Sequence, residues 1–247
     1  MTPKLTIVTV TYNCESELEA TIQSVLSQDY PNIEYIIVDG ASKDGTMTIV
    51  NHYRDRISKI VSEPDKGLYD AMNKALKLAT GQWVNFLNAG DTYTDYHTVS
   101  SMVEGVLDQK NKKVLYGNTE YLHRDGHRTM HKTSPIERLK WTINRYQPYT
   151  HQAVFYNIER KDDCYYDIRY KIAADYDVAC RYWNRYGIEA YCYVPVTACT
   201  YKAFDGVSSN PKNNLRGKKE ILKVKIRNHM KLTEILKDVI RYFVRKK

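Results

Sequence analysis

Residues Gly67 to Asp91, GLYDAMNKALKLATGQWVNFLNAGD, hold the two element types that decide the fold. GLYDAMNKALKLATG reads as a helix, with Gly81 just past its end as a C-terminal stop. WVNFL reads as a buried strand, and NAGD as a tight polar turn at its exit. A helix handing straight to a buried strand is the repeating step of an open α/β sheet. The turn also poses a chemical question. A carboxylate, Asp91, projected from the end of a hydrophobic strand invites a metal ion, yet Asn88, Ala89 and Gly90 bring no second acid. On the turn alone, a metal site, a worn-down metal site and a plain turn all stay open.

Upstream, the same step repeats. LTIVTVT (Leu5–Thr11) is β-branched or apolar at nearly every position, as a strand covered on both faces requires. ESELEATIQSVLSQ follows with Leu18, Ile22, Val25 and Leu26 at helical spacing. IEYIIVDG is a second buried strand, TMTIVNHYRD a helix, and KIVSE a short third strand. The βαβαβαβ order predicts a parallel sheet with helices on both faces. After residue 110 the pattern changes. VLYGNTEYLHRDGHRTMHK predicts a strand and a hairpin turning at Asp125-Gly126, SPIERLKWTIN a helix, HQAVFYN a strand, AADYDVACRYWNRYG a helix ending at Gly187, and IEAYCYVP a strand. Trp83 and Phe86 are expected in the core.

In an open parallel sheet, ligands bind beyond the carboxyl ends of the strands. The four predicted exits carry Thr11, Tyr12 and Asn13; Asp39, leading DGASKDGT; EPDKGLYDAMN, with Asp65 and Lys66; and NAGD. Each Asp alone is explained by turn chemistry. Three of them converging on one sheet edge point to a binding site. No G-x-G-x-x-G follows a strand and no G-x-x-x-x-G-K-[ST] occurs, which disfavours dinucleotide and P-loop folds.

The totals set further bounds. The chain has 247 residues, 43% of them hydrophobic, enough for a sizeable core. Tyrosine outnumbers phenylalanine 22 to 4, which suits polar clefts as well as interiors. The 5 cysteines show no C-x-x-C spacing, which reads as reduced thiols in a cytosolic protein. The N-terminus has no signal-peptide pattern, and no apolar run approaches the ~18 residues of a spanning helix. The net charge of +8 is uneven: residues 212–247 hold 13 Lys and Arg against 3 Asp and Glu, leaving residues 1–211 slightly acidic. In the tail, Leu232, Ile235, Leu236, Val239, Ile240 and Phe243 recur as one face of an amphipathic helix, with Lys231, Lys237, Arg241 and Arg245 off it. That face packs on the domain, on a dimer partner, or on an anionic bilayer at the inner face of the plasma membrane. No zinc-finger, RRM or helix-turn-helix pattern accompanies the charge, so nucleic acid is not expected.

TIVTVTYN, VDGASKDGT, DKGLYDAMNKALKLATGQWVNFLNAGD, HQAVFY and AADYDVACR, in this order, resemble the inverting family 2 glycosyltransferases of GT-A fold, in the branch typical of bacterial capsule, exopolysaccharide and O-antigen clusters. The resemblance covers roughly the first 205 residues. It implies an α/β, mostly parallel central sheet flanked by helices. Residues 1–110 would form a nucleotide-binding half and 111–211 an acceptor-binding half, with a basic helical extension over 212–247. By position it implies Thr11 and Tyr12 lining the nucleotide pocket, Asp39 accepting from the uracil N3–H, and Asp65 and Lys66 near ribose or phosphate. Asp91 falls on the metal-ligating acid of the family's D-x-D cluster. Asn88, counted with the nucleotide contacts, and Gly90 stand where relatives often carry further acids. Asp175 matches the general base, with Ala174 in place of its Glu partner. The cofactor would be Mg²⁺ or Mn²⁺, held weakly until the donor diphosphate supplies the missing ligands. The implied reaction moves a sugar from a UDP-sugar to a glycan or polyprenyl-linked glycan.

The residues leave alternatives. Asp175 opens a predicted helix and also reads as an N-cap. Asp177 lies ~200° around the helix from it and reads as a structural partner of Arg181. His151 and Gln152 open a predicted strand, as core residues or acceptor contacts. A sugar-nucleotide pyrophosphorylase should carry a Gly-rich, Arg-containing loop after the first strand, and TYNCESE has none. A catalytically weak relative that binds nucleotide or scaffolds an assembly is the non-enzyme alternative.

Overall fold

The computed structural model describes residues 2–104, 111–202, 204 and 213–244, with side chains described as far as residue 239. In chain order the main elements are β1 (Leu5–Thr11), α1 (Leu18–Leu26), β2 (Ile33–Asp39), α2 (Thr46–His52), β3 (Lys59–Ser62), α3 (Leu68–Leu78), β4 (Trp83–Phe86), β5 (Thr92–Tyr93), α4 (Thr98–Glu104), β6 (Val114–Leu122), β7 (Arg128–His131), α5 (Ile136–Ile143), β8 (Val154–Asn157), α6 (Lys161–Cys164), α7 (Ala174–Tyr186), β9 (Tyr191–Lys202), α8 (Asn214–Arg227) and α9 (Leu232–Val244).

The strands form one sheet in the order β3-β2-β1-β4-β8-β6-β9-β5, with β7 paired to β6. β3, β2, β1 and β4 run parallel. β1 is buried along its whole length, and alternate residues feed two cores. Val8 and Val10 join the core beneath α3 and α7, while Leu5 and Ile7 join the core beneath α1 and α4. Trp83 and Phe86 are buried, as their sequence context predicts.

Parallel pairing predominates, as expected, and includes β6 with β9 in the second half, where antiparallel pairs join it. β8 is antiparallel to β4 and β6, and β5 is antiparallel to β9, so the sheet is mixed. Two predicted strands also have different ends. HQAVFYN begins as a 3₁₀ turn, His151–Ala153, closed by Ala153 N–H donating to the Thr150 carbonyl, and the strand starts only at Val154. β9 does not stop near Pro195. It runs on to Lys202 because the proline sits in a register break between Tyr193 and Thr197, where no ladder N–H is needed. Gly117 lies opposite the break, and a Cβ there would meet the Val196 carbonyl at 2.7 Å. The break carries Tyr201 and Lys202 to the functional face.

In the basic tail, α8 packs on α7 and buries Glu220, Val224 and Lys225, and Met230 is buried just beyond it. Lys225 Nζ donates to Asp238 on α9 at 2.5 Å. Asp177 is buried and accepts from both Arg181 (3.0 Å) and Asn228 (2.8 Å), so the expected helix pair also ties α8 to α7. Of the amphipathic face, Leu232 and Leu236 on α9 are exposed, and Ile235 and Val239 are half-buried. Ile240, Arg241, Phe243 and Arg245 lie outside the described side chains. Among the described residues no helix is long and apolar enough to cross a membrane, and all five cysteines are unpaired.

Candidate active site

A cavity of about 390 Å³ opens at the carboxyl edge of the parallel strands. Thr11, Tyr12, Asn88, Asp91, His151, Gln152 and Asp175 all line it, so residues from four separate predicted motifs meet.

The turn after β4 is held against β1. Leu87 N–H donates to the Val8 carbonyl (2.9 Å) and Ala89 N–H to the Val10 carbonyl (3.2 Å), continuing the ladder past the last paired residue. Gly90 then takes φ +97°, a left-handed conformation that favours glycine, and a Cβ there would lie 2.9 Å from a Glu17 oxygen. The turn delivers the Asp91 carboxyl into the cavity, buried, accepting from Gln152 Nε2 (2.8 Å) and from Lys202 N–H (3.3 Å). Burial pushes this carboxyl up to about 7, against the pull of those two donors.

Asp175 also lines the cavity, from the first turn of α7. Its Oδ1 accepts from Tyr176 N–H at 2.8 Å, a local contact that does not cap the helix. A helix N-terminus favours the ionised form, but burial outweighs it and raises this carboxyl to about 6. His151 Nδ1 lies 4.0 Å from Asp175 Oδ2. Burial lowers the imidazole to about 4, so it is neutral at physiological pH. Asn88 Nδ2 lies 2.8 Å from His151 Nε2, and with the amide nitrogen donating, the ring proton sits on Nδ1, toward Asp175.

The segment before α7 is fixed from the tail. Glu220 Oε2 accepts from Lys171 N–H (3.0 Å), Ile172 N–H (2.8 Å) and Ala173 N–H (3.1 Å). A carboxylate from α8 thus pins the segment that leads into the helix carrying Asp175, reaching the helix itself only at its N-cap, Ala173.

Asp39, Asp65 and Lys66 lie outside the wall of this cavity. Asp39 is fully buried at the end of β2, accepting from Ser42 N–H (3.0 Å), Ser62 Oγ (2.6 Å) and Ser42 Oγ. Asp65 accepts from Gly67 N–H (2.7 Å) and stands over Gly40, where a Cβ would meet Asp65 Oδ2 at 2.6 Å and the Tyr12 ring at 3.1 Å. Tyr12, Asp39 and Asp65 therefore gather around the bare backbone of Gly40, beside the cavity, and Tyr12 is 63% exposed. Lys66 is exposed. The loops leaving β1 and β2 hold left-handed residues at Asn13 (φ 47°) and Ala41 (φ 63°). They are stitched together by Asn13 N–H to Ser42 Oγ and Lys43 N–H to Asn13 Oδ1, both 2.8 Å. Backbone strain maintained by cross-loop bonds is common where a ligand is clamped.

The family model "Glycosyl transferase family 2" matches residues 6–176, the span that contributes both acids. The chain belongs to this family. A PGL/p-HBAD biosynthesis glycosyltransferase of Mycobacterium bovis is 28% identical over 211 residues, 84% of this chain and 80% of the relative. The Escherichia coli protein WfaP, named a UDP-Glc:alpha-D-GlcNAc-diphosphoundecaprenol beta-1,3-glucosyltransferase, is 36% identical over 47% of this chain and 45% of its own. Among solved structures, Staphylococcus aureus TarS 1-349 in complex with UDP-GlcNAc superposes with a TM-score of 0.70 at 18% identity, covering 97% of this chain and 71% of TarS 1-349. The mannosyltransferase PcManGT of Pyrobaculum calidifontis, in complex with GDP-Man and Mn²⁺, gives 0.66 at 17% identity over 92% and 64%. The fold of this glycosyltransferase is GT-A.

Three charged residues of the transferase's cavity escaped the reading of strand exits: Glu17, Lys171 and Lys202. Glu17 precedes α1 and is paired with Lys202. Its signal was the acid-rich ESELEA directly after the first strand exit. Lys202 had no local signal, because it depends on β9 continuing past Pro195. Among the described residues no group of three or more His, Cys, Asp or Glu side chains is placed to hold a metal. The oxygen donors present nevertheless suit a hard cation that is completed by phosphate and water. Asp91 lines the cavity, and the side-chain oxygen Oδ1 of Asn88 in the same wall is buried without a partner.

Proposed function

We propose that this glycosyltransferase moves a sugar with inversion from a UDP-sugar to a glycan or lipid-linked glycan in bacterial surface polysaccharide synthesis, using a divalent cation. The observation that carries the reading is that two carboxyls in different environments, Asp91 and Asp175, line one cavity.

Thr11 and the exposed ring of Tyr12 would hold the uridine, with Asp39 accepting from the uracil N3–H. Asp65 and Lys66 would approach the ribose or phosphate. Residues 1–110 would supply this donor half and 111–211 the acceptor half. Asp91, with the Asn88 oxygen, would hold Mg²⁺ or Mn²⁺, which when bound neutralises charge on the departing diphosphate. Lys202 and Lys171, both in the cavity wall, add positive charge there. Asp175 takes the proton of the acceptor hydroxyl as that oxygen bonds to the anomeric carbon. The bond to UDP breaks in the same displacement, UDP keeps the electron pair, and the anomeric configuration inverts. Neutral His151 stands 4.0 Å from Asp175, beyond hydrogen-bond distance, and shares the wall in which the acceptor hydroxyl would lie. A carboxyl held at about 6 is mostly ionised at pH 7 yet still basic enough to receive a proton.

The UDP-Glc in the name of WfaP and the UDP-GlcNAc in the TarS complex support a UDP-sugar donor, and the Mn²⁺ in the PcManGT complex supports a cation. The diphosphoundecaprenol acceptor of WfaP supports a lipid-linked substrate. Exposed Leu232 and Leu236, on a tail rich in lysine and arginine, suit a surface resting on anionic lipid. The test is UDP release from a panel of UDP-sugars with and without Mn²⁺. Release from one donor, dependent on Mn²⁺, is expected. No release from any donor, with UDP unbound by calorimetry, would overturn the reading.

A further inference from the structure

Beyond Asp175 and His151 the first cavity meets a second, of about 300 Å³, lined in part by Tyr121, His131, Gln147, Tyr149, Tyr176 and Tyr201. The two share His151, Gln152, Ile172, Asp175 and Tyr201 in their walls, so Asp175 looks into both.

Unsatisfied polar atoms mark both cavities. Among the described residues, four buried side-chain atoms have no hydrogen-bond partner: Thr11 Oγ1, Asn88 Oδ1, and both Oε1 and Nε2 of Gln147. The first two belong to the wall of the donor cavity, and the Gln147 pair to the wall of the second. Folded proteins pair nearly all buried polar atoms, so a whole amide left unpaired inside a cavity wall calls for a ligand with both a donor and an acceptor. A sugar hydroxyl is both.

The rest of the wall agrees. Tyr121 stacks on His131 with centroids 5.1 Å apart and planes 10° apart, and Tyr201 packs edge-on against Tyr121 at 5.7 Å. Flat aromatic faces beside a few placed polar groups suit a ring with an apolar face and a hydroxylated rim. Among the described residues no lysine or arginine lines this cavity, whereas Lys171 and Lys202 line the first. An anionic group here would face Asp175 with no lysine or arginine among the described wall residues to balance it.

We infer that the second cavity binds the terminal sugar of the acceptor as a neutral pyranose, and that Gln147 reads its hydroxyls. The inference rests on the transferase reading above. A ring seated there presents one hydroxyl to Asp175, and any lipid diphosphate lies outside the cavity.

The experiment measures binding of the methyl glycosides of glucose, galactose, N-acetylglucosamine and glucuronic acid to the full chain with UDP and Mn²⁺ present, by saturation-transfer NMR and calorimetry. At least one neutral glycoside should bind, with the glucuronide at least 10-fold weaker. Gln147→Met should weaken that binding at least 10-fold with its melting temperature unchanged or raised, because no protein group pairs with the amide it removes. A glutamine with a merely structural role would lower the melting temperature and leave binding within 2-fold, which overturns the proposal. Gln147→Glu keeps the shape and loses the N–H, so it carries the same binding test if the methionine variant fails to fold. Tighter binding of the glucuronide, or binding of none of the four, also overturns it. UDP affinity, measured on the same samples, separates the two readings. UDP bound with no glycoside bound refutes the acceptor site alone, and glycosides bound with UDP unbound refute the donor reading.

Discussion

Asp91 and Asp175 line one cavity, but the parallel first half and the mixed second half deliver them differently. The Asp91 backbone is placed by a buried strand, two ladder bonds to β1 and a left-handed glycine, while its carboxyl is held by Gln152 and by the Lys202 N–H from the second half. Asp175 is placed from a distance. The segment before it hangs on Glu220, from an α-helix almost fifty residues later, and the ring facing it comes from the turn before β8. One acid's backbone belongs to a local motif and the other's to an assembly. The backbone of the first should tolerate changes in the tail, and the segment before the second should not.

The largest expected effect tests the division of labour between them. Asp175→Asn should lower turnover by ~10²–10⁴-fold and leave UDP affinity within about 2-fold, because its contacts are to acceptor and proton. Comparable loss of UDP affinity in calorimetry would erase the difference between the two sides. Asp91→Asn should cost ~10²–10³-fold in turnover and also abolish the gain in UDP affinity that Mn²⁺ confers. An Asp91→Asn protein whose UDP titration still responds to Mn²⁺ would remove Asp91 as the cation ligand.

Glu220→Gln probes the distant support. It weakens charge-assisted bonds to three N–H groups leading into α7 and should cost about 1–2 kcal/mol of stability in urea melts. It should also lower turnover by ~10-fold through misplacement of Asp175, with the donor KM unchanged. Stability lost without any change in turnover would mean the tail supports the fold and not the base.

The pH dependence follows from burial. Asp175 must be ionised to accept a proton, so activity should fall as the pH drops through about 6, well above the ordinary aspartate range. The stability effect has the opposite sign. A raised carboxyl binds its proton more tightly folded than unfolded, so its contribution favours the fold at low pH and is lost as the pH rises through about 6. Asp175→Asn should therefore melt above the parent protein at pH 8, with the gap closing toward pH 4. The smallest effect concerns the tail surface: Leu232→Ser with Leu236→Ser should reduce sedimentation with phosphatidylglycerol vesicles several-fold, and unchanged sedimentation would remove that surface from the membrane reading.

Much of the parallel half was legible from residues alone. Consecutive buried strands read as apolar runs, and their exits could be searched for polar side chains, which led to Thr11, Tyr12, Asn88 and Asp91 in one wall. Glu17 was missed because the search stopped at the strand exit, one short loop before α1. The second half was less legible. His151 and Gln152 lie in a turn and not in a strand, and Lys202 arrives only because β9 passes through a proline-bearing break. Gln147 has no motif around it. Its meaning is that nothing pairs with it, and no stretch of sequence shows a missing partner.

Local sequence thus settled most of the order of helices and strands, though not β5, α4 or α6, together with the exits that carry chemistry and the chain's resemblance to its family, because hydrophobic period and turn residues act over a few positions. Tertiary structure decided how the ionisable groups behave. The upward shift of Asp91 and Asp175, the neutrality of His151 and the hold of Glu220 on α7 all arise from burial and from partners tens of residues away. Desolvation depends on everything packed around a group, and that exists only once the chain has folded.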